Sequence, residues 1–176
     1  VPANRYVAAA AGGFHTVLIR ADGEAVVFGR NSERQCAIPA RPAGTRYVAA
    51  AACVHHTVLL RDDGEAVAVG LNDDGQCALP ARPARTRYVA AAAGTWHSLL
   101  LQDDGEVVAF GGNGDGQCNV PARPAGTRYV VAAAGGHHSI LLRDDGEAVA
   151  FGTNVHGQCK VPARPAGTRY VAAAAG

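Results

Sequence analysis

The sequence contains no methionine, a single tryptophan and only four phenylalanines among 176 residues. Without methionine there is no initiator, as expected of a processed form, an excised piece or part of a larger chain. Val1-Pro2-Ala3 matches the Val-Pro-Ala closing later copies of a repeat, and the last residues stop inside a further unit, which favours a piece of something larger. No apolar stretch approaches the ~20 residues that a helical membrane span needs. The longest alanine-rich runs are about seven residues and end at Gly or Cys. No signal-peptide pattern is present. A formal net charge of +1 leaves no basic excess of the kind that binds bulk nucleic acid. Five cysteines, an odd number with no Cys-x-x-Cys spacing, indicate neither a zinc site nor a disulfide framework. With 48% hydrophobic residues the chain can nonetheless bury a core.

What is present is repetition. Arg-Tyr-Val recurs at Arg5, Arg46, Arg87, Arg128 and Arg169, every 41 residues. Four complete copies span 5–45, 46–86, 87–127 and 128–168 without insertion or deletion, and a partial fifth occupies 169–176. The span 1–176 therefore reads as a single repeat domain. A period near 40, built of short apolar runs between Gly, Asp and Pro turns, indicates a propeller or another stacked array.

The second copy shows the expected pattern. Tyr47 to Ala52 reads as a first strand and Cys53-Val54-His55 as a turn, with a second strand over His56 to Arg61. Asp62-Asp63-Gly64 is a tight turn with glycine where a positive φ is needed. A third strand follows over Glu65 to Val69, then a loop from Gly70 to Gly75 and a short fourth strand over Gln76 to Leu79. Pro80-Ala81-Arg82-Pro83 leads onward in extended form. Alanine favours helix, but seven residues make a marginal one, and the preceding Tyr-Val favours a strand. Small side chains also suit the innermost strand of a propeller blade.

The motif Gly-x-[Phe/Trp/His]-His-[Ser/Thr]-x-x-Leu, Asp-Gly, Phe-Gly-x-Asn-x-x-Gly-Gln resembles the regulator of chromosome condensation repeat. Copy three carries it as Gly94-Thr95-Trp96-His97-Ser98, Asp104-Gly105, Phe110-Gly111-Gly112-Asn113 and Gly116-Gln117. The resemblance covers essentially the whole chain. It departs where Cys-x-x-Pro stands in place of the family's Leu-Gly, and where Arg34 stands for glycine. The short unit is similar to the compact repeats of bacterial β-lactamase inhibitors sharing this architecture. The resemblance implies an all-β fold: a β-propeller with four consecutive blades here, part of a seven-bladed ring or an open array, a two-chain ring of eight blades being a further option. An open array leaves its end blades uncovered.

Changes of chemical character between the copies concentrate in two stretches. One is the turn after the first strand, with Phe14, His55, Trp96 and His137. The other is the loop after the third strand: Arg30, Ser32, Glu33 and Arg34; Leu71, Asp73 and Asp74; Gly112, Gly114 and Asp115; Thr153, Val155 and His156. Both leave the same edge of an up-and-down blade, so the variable residues are expected on one face. The opposite edge is nearly identical in every copy. One diversified face against one uniform face is what a repeat protein shows when it recognises a partner, although drift at loop tips gives the same pattern. Phe14 and Trp96 favour binding as exposed aromatic anchors. The candidate partner-binding residues are therefore Phe14, Arg30, Glu33, Arg34, His55, Leu71, Asp73, Asp74, Trp96, Asp115, His137, Val155 and His156.

His15, His56, His97 and His138, each followed by Ser or Thr, recur once per copy. Adjacent strand residues point to opposite faces, so these pairs are poorly placed as nucleophile and base. A structural role is expected, with imidazole bonding to backbone between blades. Cys36, Cys77, Cys118 and Cys159 are read as filling the hydrophobic place that Leu takes in the family, too far apart for disulfides. Reduced thiols fit an intracellular setting. Cys53, in place of glycine, is the expected reactive thiol. His137 and His156 share one blade and offer an alternative metal or pH-sensitive site. Asp62, Asp63, Glu65, Arg82 and Arg87 are expected to pair at the uniform edge.

These residues point to a non-enzymatic scaffold that docks another protein, without cofactor, nucleic acid or membrane span, and with self-association as a route to ring closure. The alternatives are a metal- or ligand-binding module at His137 and His156, an enzyme that adds Cys53, and an engineered repeat, against which Cys53, Arg34 and Arg85 stand. The resemblance further allows a piece of a GTPase-exchange or ubiquitin-ligase substrate-binding domain. Ultraviolet sensing needs clustered tryptophans, and Trp96 stands alone.

Overall fold

The computed structural model describes residues 5–176. Twelve strands form four separate antiparallel sheets of three, each in sequence order. The first blade contains β1 (Tyr6–Ala11), β2 (His15–Arg20) and β3 (Ala25–Gly29); the second β4 (Tyr47–Ala52), β5 (His56–Arg61) and β6 (Ala66–Gly70). The third contains β7 (Tyr88–Ala93), β8 (His97–Gln102) and β9 (Val107–Gly111); the fourth β10 (Tyr129–Ala134), β11 (His138–Arg143) and β12 (Ala148–Gly152). The alanine runs are strands. Successive first strands β1, β4, β7 and β10 lie against one another along the axis, where a methyl side chain permits that approach. Each first strand bulges after its tyrosine, so Val7, Val48, Val89 and Val130 face outward, half-exposed.

The apolar core lies between blades. Ile19 and Val17 of the first blade meet Tyr47 and Leu59 of the second. Val58 and Leu60 meet Tyr88 and Leu100, and Leu99 and Leu101 meet Tyr129 and Leu141. Alternation along each middle strand therefore serves two interfaces, and leucines on both sides of β5 and β8 are fully buried. Glycine in the Asp-Gly turn is required twice over. Gly64 has φ +84, and a Cβ there would lie 2.8 Å from Arg87 Cβ of the next blade. The close approach lets Tyr88 N–H donate to Gly64 O at 3.0 Å across the interface.

The expected fourth strand does not form. After β6, Ala78 N–H donates to Gly75 O at 2.9 Å and Leu79 N–H to Cys77 O at 3.0 Å, giving consecutive turns. Cys77 N–H is taken by Asn72 Oδ1 at 2.8 Å, and Pro80 follows with no donor of its own. Too few free backbone groups remain for a ladder. The blades make an open array among the described residues. The fifth copy continues it only as an irregular segment, with Tyr170 N–H on Gly146 O at 3.1 Å.

Arg34 and Arg85 occupy places where other copies have glycine, yet keep that backbone, with φ of 65° and 67°. Arginine in the left-handed region carries a steric cost that glycine avoids. Replacing Arg34 with Gly is therefore expected to raise unfolding stability by about 0.5–1 kcal/mol, measured by urea denaturation. A loss of stability would show that the Arg34 side chain contributes more than its backbone costs.

The uniform edge is held by ion pairs, but not all of those expected: Glu65 takes Arg82, whereas Asp63 pairs with Arg61 at 2.6 Å and Asp62 accepts the N–H of Arg46. Arg41–Glu24 at 2.7 Å, Arg82–Glu65 at 2.6 Å and Arg164–Glu147 at 2.7 Å tie each linker to its own blade, as does Arg123–Glu106. Such exposed pairs add little stability each, but they fix the linker path. Arg87 and Arg128 also donate to Asp62 O and Asp103 O across blade boundaries.

Candidate functional site

The two variable stretches meet through backbone hydrogen bonds in every blade. Arg30 N–H donates to Phe14 O at 2.8 Å, Leu71 to His55 O at 3.0 Å, Gly112 to Trp96 O at 2.7 Å and Thr153 to His137 O at 2.9 Å. Three-stranded blades thus place both variable loops on one edge, without the fourth strand. A residue that sequence reasoning passed over shapes these loops. Gln35, Gln76, Gln117 and Gln158 accept the N–H of Glu33, Asp74, Asp115 and His156 at 2.9–3.0 Å, holding the loop tip over a largely buried amide. Its signal was constancy inside an otherwise variable loop.

The face is chemically different in each blade. In the first, Phe14 is 59% exposed, the Arg30 guanidinium sits 5.6 Å from its ring centroid, and Glu33 lies 3.7 Å from Arg30 Nη2. Arg34 is exposed beside them. Trp96 is not an exposed anchor as expected but partly buried, its ring centroid 5.8 Å from that of His55 in the preceding blade. Leu71 is also partly buried, while Asp73 and Asp74 are exposed. A cavity of about 310 Å³ opens between Asp74, Trp96, Asp115 and His137, floored by Gly112 and Gly114. Larger cavities of about 420 and 440 Å³ lie at the uniform edge, lined by residues almost the same in every copy. Volume alone does not distinguish a site from a repeated seam.

His137 Nδ1 lies 3.1 Å from Asp115 Oδ2 of the preceding blade, so its partner is that carboxylate. His156 and Val155 are exposed at the far end of the face, Val155 at 79%. Among the described residues no three His, Cys, Asp or Glu side chains are grouped as metal ligands.

The repeated histidines form a ladder between blades. Nε2 of His15, His56 and His97 lies 2.7–2.8 Å from the hydroxyl of Thr57, Ser98 and Ser139 in the next blade. Each hydroxyl in turn donates to the carbonyl of Gln35, Gln76 or Gln117 at 2.7–2.8 Å. The expected bond to backbone is therefore relayed by a hydroxyl. A hydroxyl has one proton, and the carbonyl takes it, so the imidazole donates from Nε2 and Nδ1 carries a bare lone pair. His56 and His97 are fully buried, and desolvation, assisted by neighbouring histidines, pushes both down to about 4.

Cys53 is buried, not reactive as expected: desolvation raises its thiol above the ordinary value. Its Sγ lies 3.0 Å from His56 Nδ1, where the tautomer makes S–H the donor. The other four thiols are not apolar filling either. Cys36, Cys77, Cys118 and Cys159 are partly buried, with Sγ 3.2–3.4 Å from the carbonyl six residues earlier, closing the variable loop.

Three-stranded blades around an axis, with variable loops gathered on one edge, define a β-propeller array with a differentiated face. The regulator of chromosome condensation (RCC1) repeat profile matches residues 6–35, 88–117 and 131–158, half of the chain. The chain belongs to that family. The second copy, with Cys53 for glycine and Val69 for phenylalanine, falls outside the matched segments but folds in the same register. No curated protein matches the chain in sequence. Among solved structures, human WBSCR16 is similar with TM-score 0.75 and 22% identity over 86% of this chain and 50% of its own. Yeast RCC1 (Prp20), solved bound to Kap60, gives 0.71 and 23% over 85% and 44%. The ectodomain of the Physcomitrella patens receptor kinase CR4 gives 0.70 and 17% over 94% and 45%. The chain spans about half the length of these structures or less, and at such identities they show the fold.

Proposed function

We propose that this propeller segment is a non-enzymatic docking scaffold whose variable-loop face binds another protein. The observation that carries this reading is the backbone pairing of the two variable stretches in all four blades, which concentrates the differences between copies on one edge. The thirteen candidate residues, from Phe14 to His156, form that surface, and 1–176 acts as a single repeat domain. The buried Ser–His contacts support no chemistry, because their atoms meet no solvent or substrate. Protein partners are in keeping with similar structures: yeast RCC1 was solved with Kap60, and Prp20p is described by its binding to Gsp1p and histones. The outer face of the first blade, with Tyr6 and Phe28 half-exposed, is the surface that later blades bury. Another blade, from further chain or a second copy, is expected to cover it.

The test places a photo-crosslinking residue at Phe14 or Val155 on the variable face, and at Asp62 or Ala84 on the uniform edge, in the intact chain. A discrete cross-linked partner from the variable face alone is the expected result. Equal capture from both edges, or capture only from the uniform edge, would overturn the docking reading.

A further inference from the structure

The first and third blades use the same positions differently. Phe14 and Trp96 are equivalent, as are Arg30 and Gly112, and Glu33 and Asp115. In the first blade the three residues form a filled unit, the Arg30 guanidinium over the Phe14 ring and Glu33 beside it. The third blade keeps a larger aromatic ring and a carboxylate but has glycine in place of the arginine. The space that results is the cavity of about 310 Å³ bordered by Trp96, Asp74 and Asp115. A cavity of that size sits at the small end for a ligand pocket and matches one side chain. No Arg or Lys lines it; the side chain that meets its carboxylates is His137, with Nδ1 3.1 Å from Asp115 Oδ2. Gln117, 2% exposed, also lines it, its oxygen taken by Asp115 N–H at 3.0 Å.

We propose that the slot between Trp96, Asp74 and Asp115 receives an arginine side chain of a partner protein, replacing the arginine that the third repeat lacks. This rests on the reading of the variable-loop face as a docking surface. A planar guanidinium suits the slot better than an ammonium, because it can stack on indole while its fork reaches carboxylates on either side. The slot lies between blades, with Asp74 from the second, Trp96 and Asp115 from the third and His137 from the fourth. It is therefore a product of the array, not of one repeat.

Trp96 is the single tryptophan of the sequence and reports directly on the slot. The intact chain is titrated with N-acetyl-argininamide, and with the citrulline analogue as the uncharged isostere. A saturable change in Trp96 fluorescence is expected for arginine, with a dissociation constant of about 1 mM. Citrulline is expected to bind at least tenfold more weakly. Gly112→Arg restores the first blade's residue and fills the slot from within. A Cβ at Gly112 meets Trp96 Cβ at 3.2 Å, Trp96 O at 3.3 Å and Asp74 Cβ at 3.6 Å, so Trp96 has to give by a few tenths of an ångström. This variant is expected to abolish the response, and Asp115→Asn to weaken it severalfold. No saturable response to arginine, an equal response to citrulline, or a response undiminished in Gly112→Arg would each overturn the proposal. The titration needs no partner, so its failure with variable-face cross-links intact fells the arginine slot alone. Absent variable-face cross-links fell the docking reading, whatever the probe does.

Discussion

Unfolding stability is expected to fall steeply as pH drops from 6.5 to about 4, and to be nearly flat above 7. His56 and His97 start from an ordinary value of 6.5 and are pushed down to about 4 in the fold by burial. Their folded-state affinity for a proton is below that of the unfolded chain, so protons pull the equilibrium towards unfolding. The stabilisation is fully present above 6.5, is lost progressively below it, and levels off once the folded state also protonates near 4. Each depression is worth about 3 kcal/mol at full extent, and His15, also lowered, adds in the same direction. Together they are comparable to the whole stability of a small domain. The carboxylates act elsewhere. Side-chain hydrogen bonds from Arg61 and Arg143 hold Asp63 and Asp145 below their ordinary 3.8, so their contribution is present above that value and lost beneath it. Urea midpoints measured from pH 8 down to about 2.5 separate the two windows. A midpoint independent of pH between 6.5 and 4.5 would show that the histidine ladder takes up protons without opening, contrary to its burial. Replacing His97 with Gln is expected to remove about one proton's worth of that slope.

Equivalent leucines are expected to differ in cost according to blade position. Leu100 is fully buried against the second blade, and Leu100→Ala is expected to cost about 2–5 kcal/mol through lost transfer energy and the cavity left behind. Leu18 occupies the same place in the first blade but faces outward, only partly buried, because no blade precedes it among the described residues. Leu18→Ala is expected to cost under about 1 kcal/mol in this chain. Chemical denaturation of the two variants gives the comparison directly. Equal costs would mean that another blade or a second copy covers the first blade in solution, and the oligomeric mass would then decide between them.

The repeat, the blade limits over Tyr47–Ala52 and His56–Arg61, the glycine turn at Gly64 and the gathering of variable loops on one edge were legible from the sequence. These follow from local rules: period-two alternation, the steric freedom of glycine, and a pattern repeated four times without a gap. The fourth strand was misread, because Gln76 to Leu79 has strand-like composition while its backbone donors are already engaged by Asn72 and by turns. The behaviour of single side chains was decided by tertiary structure. Cys53 is silenced by burial and by His56, and Trp96 is half-covered by His55 from the neighbouring blade. The histidine ladder joins residues 42 apart in the chain. The Trp96 slot exists because Gly112 removes a side chain where three blades meet. The sequence by itself determined the repeating unit and which edge varies, since both depend on neighbours along the chain. Only the stacking of one blade on the next decided what each varied residue touches, because solvent access and proton position there are set by atoms a full repeat away.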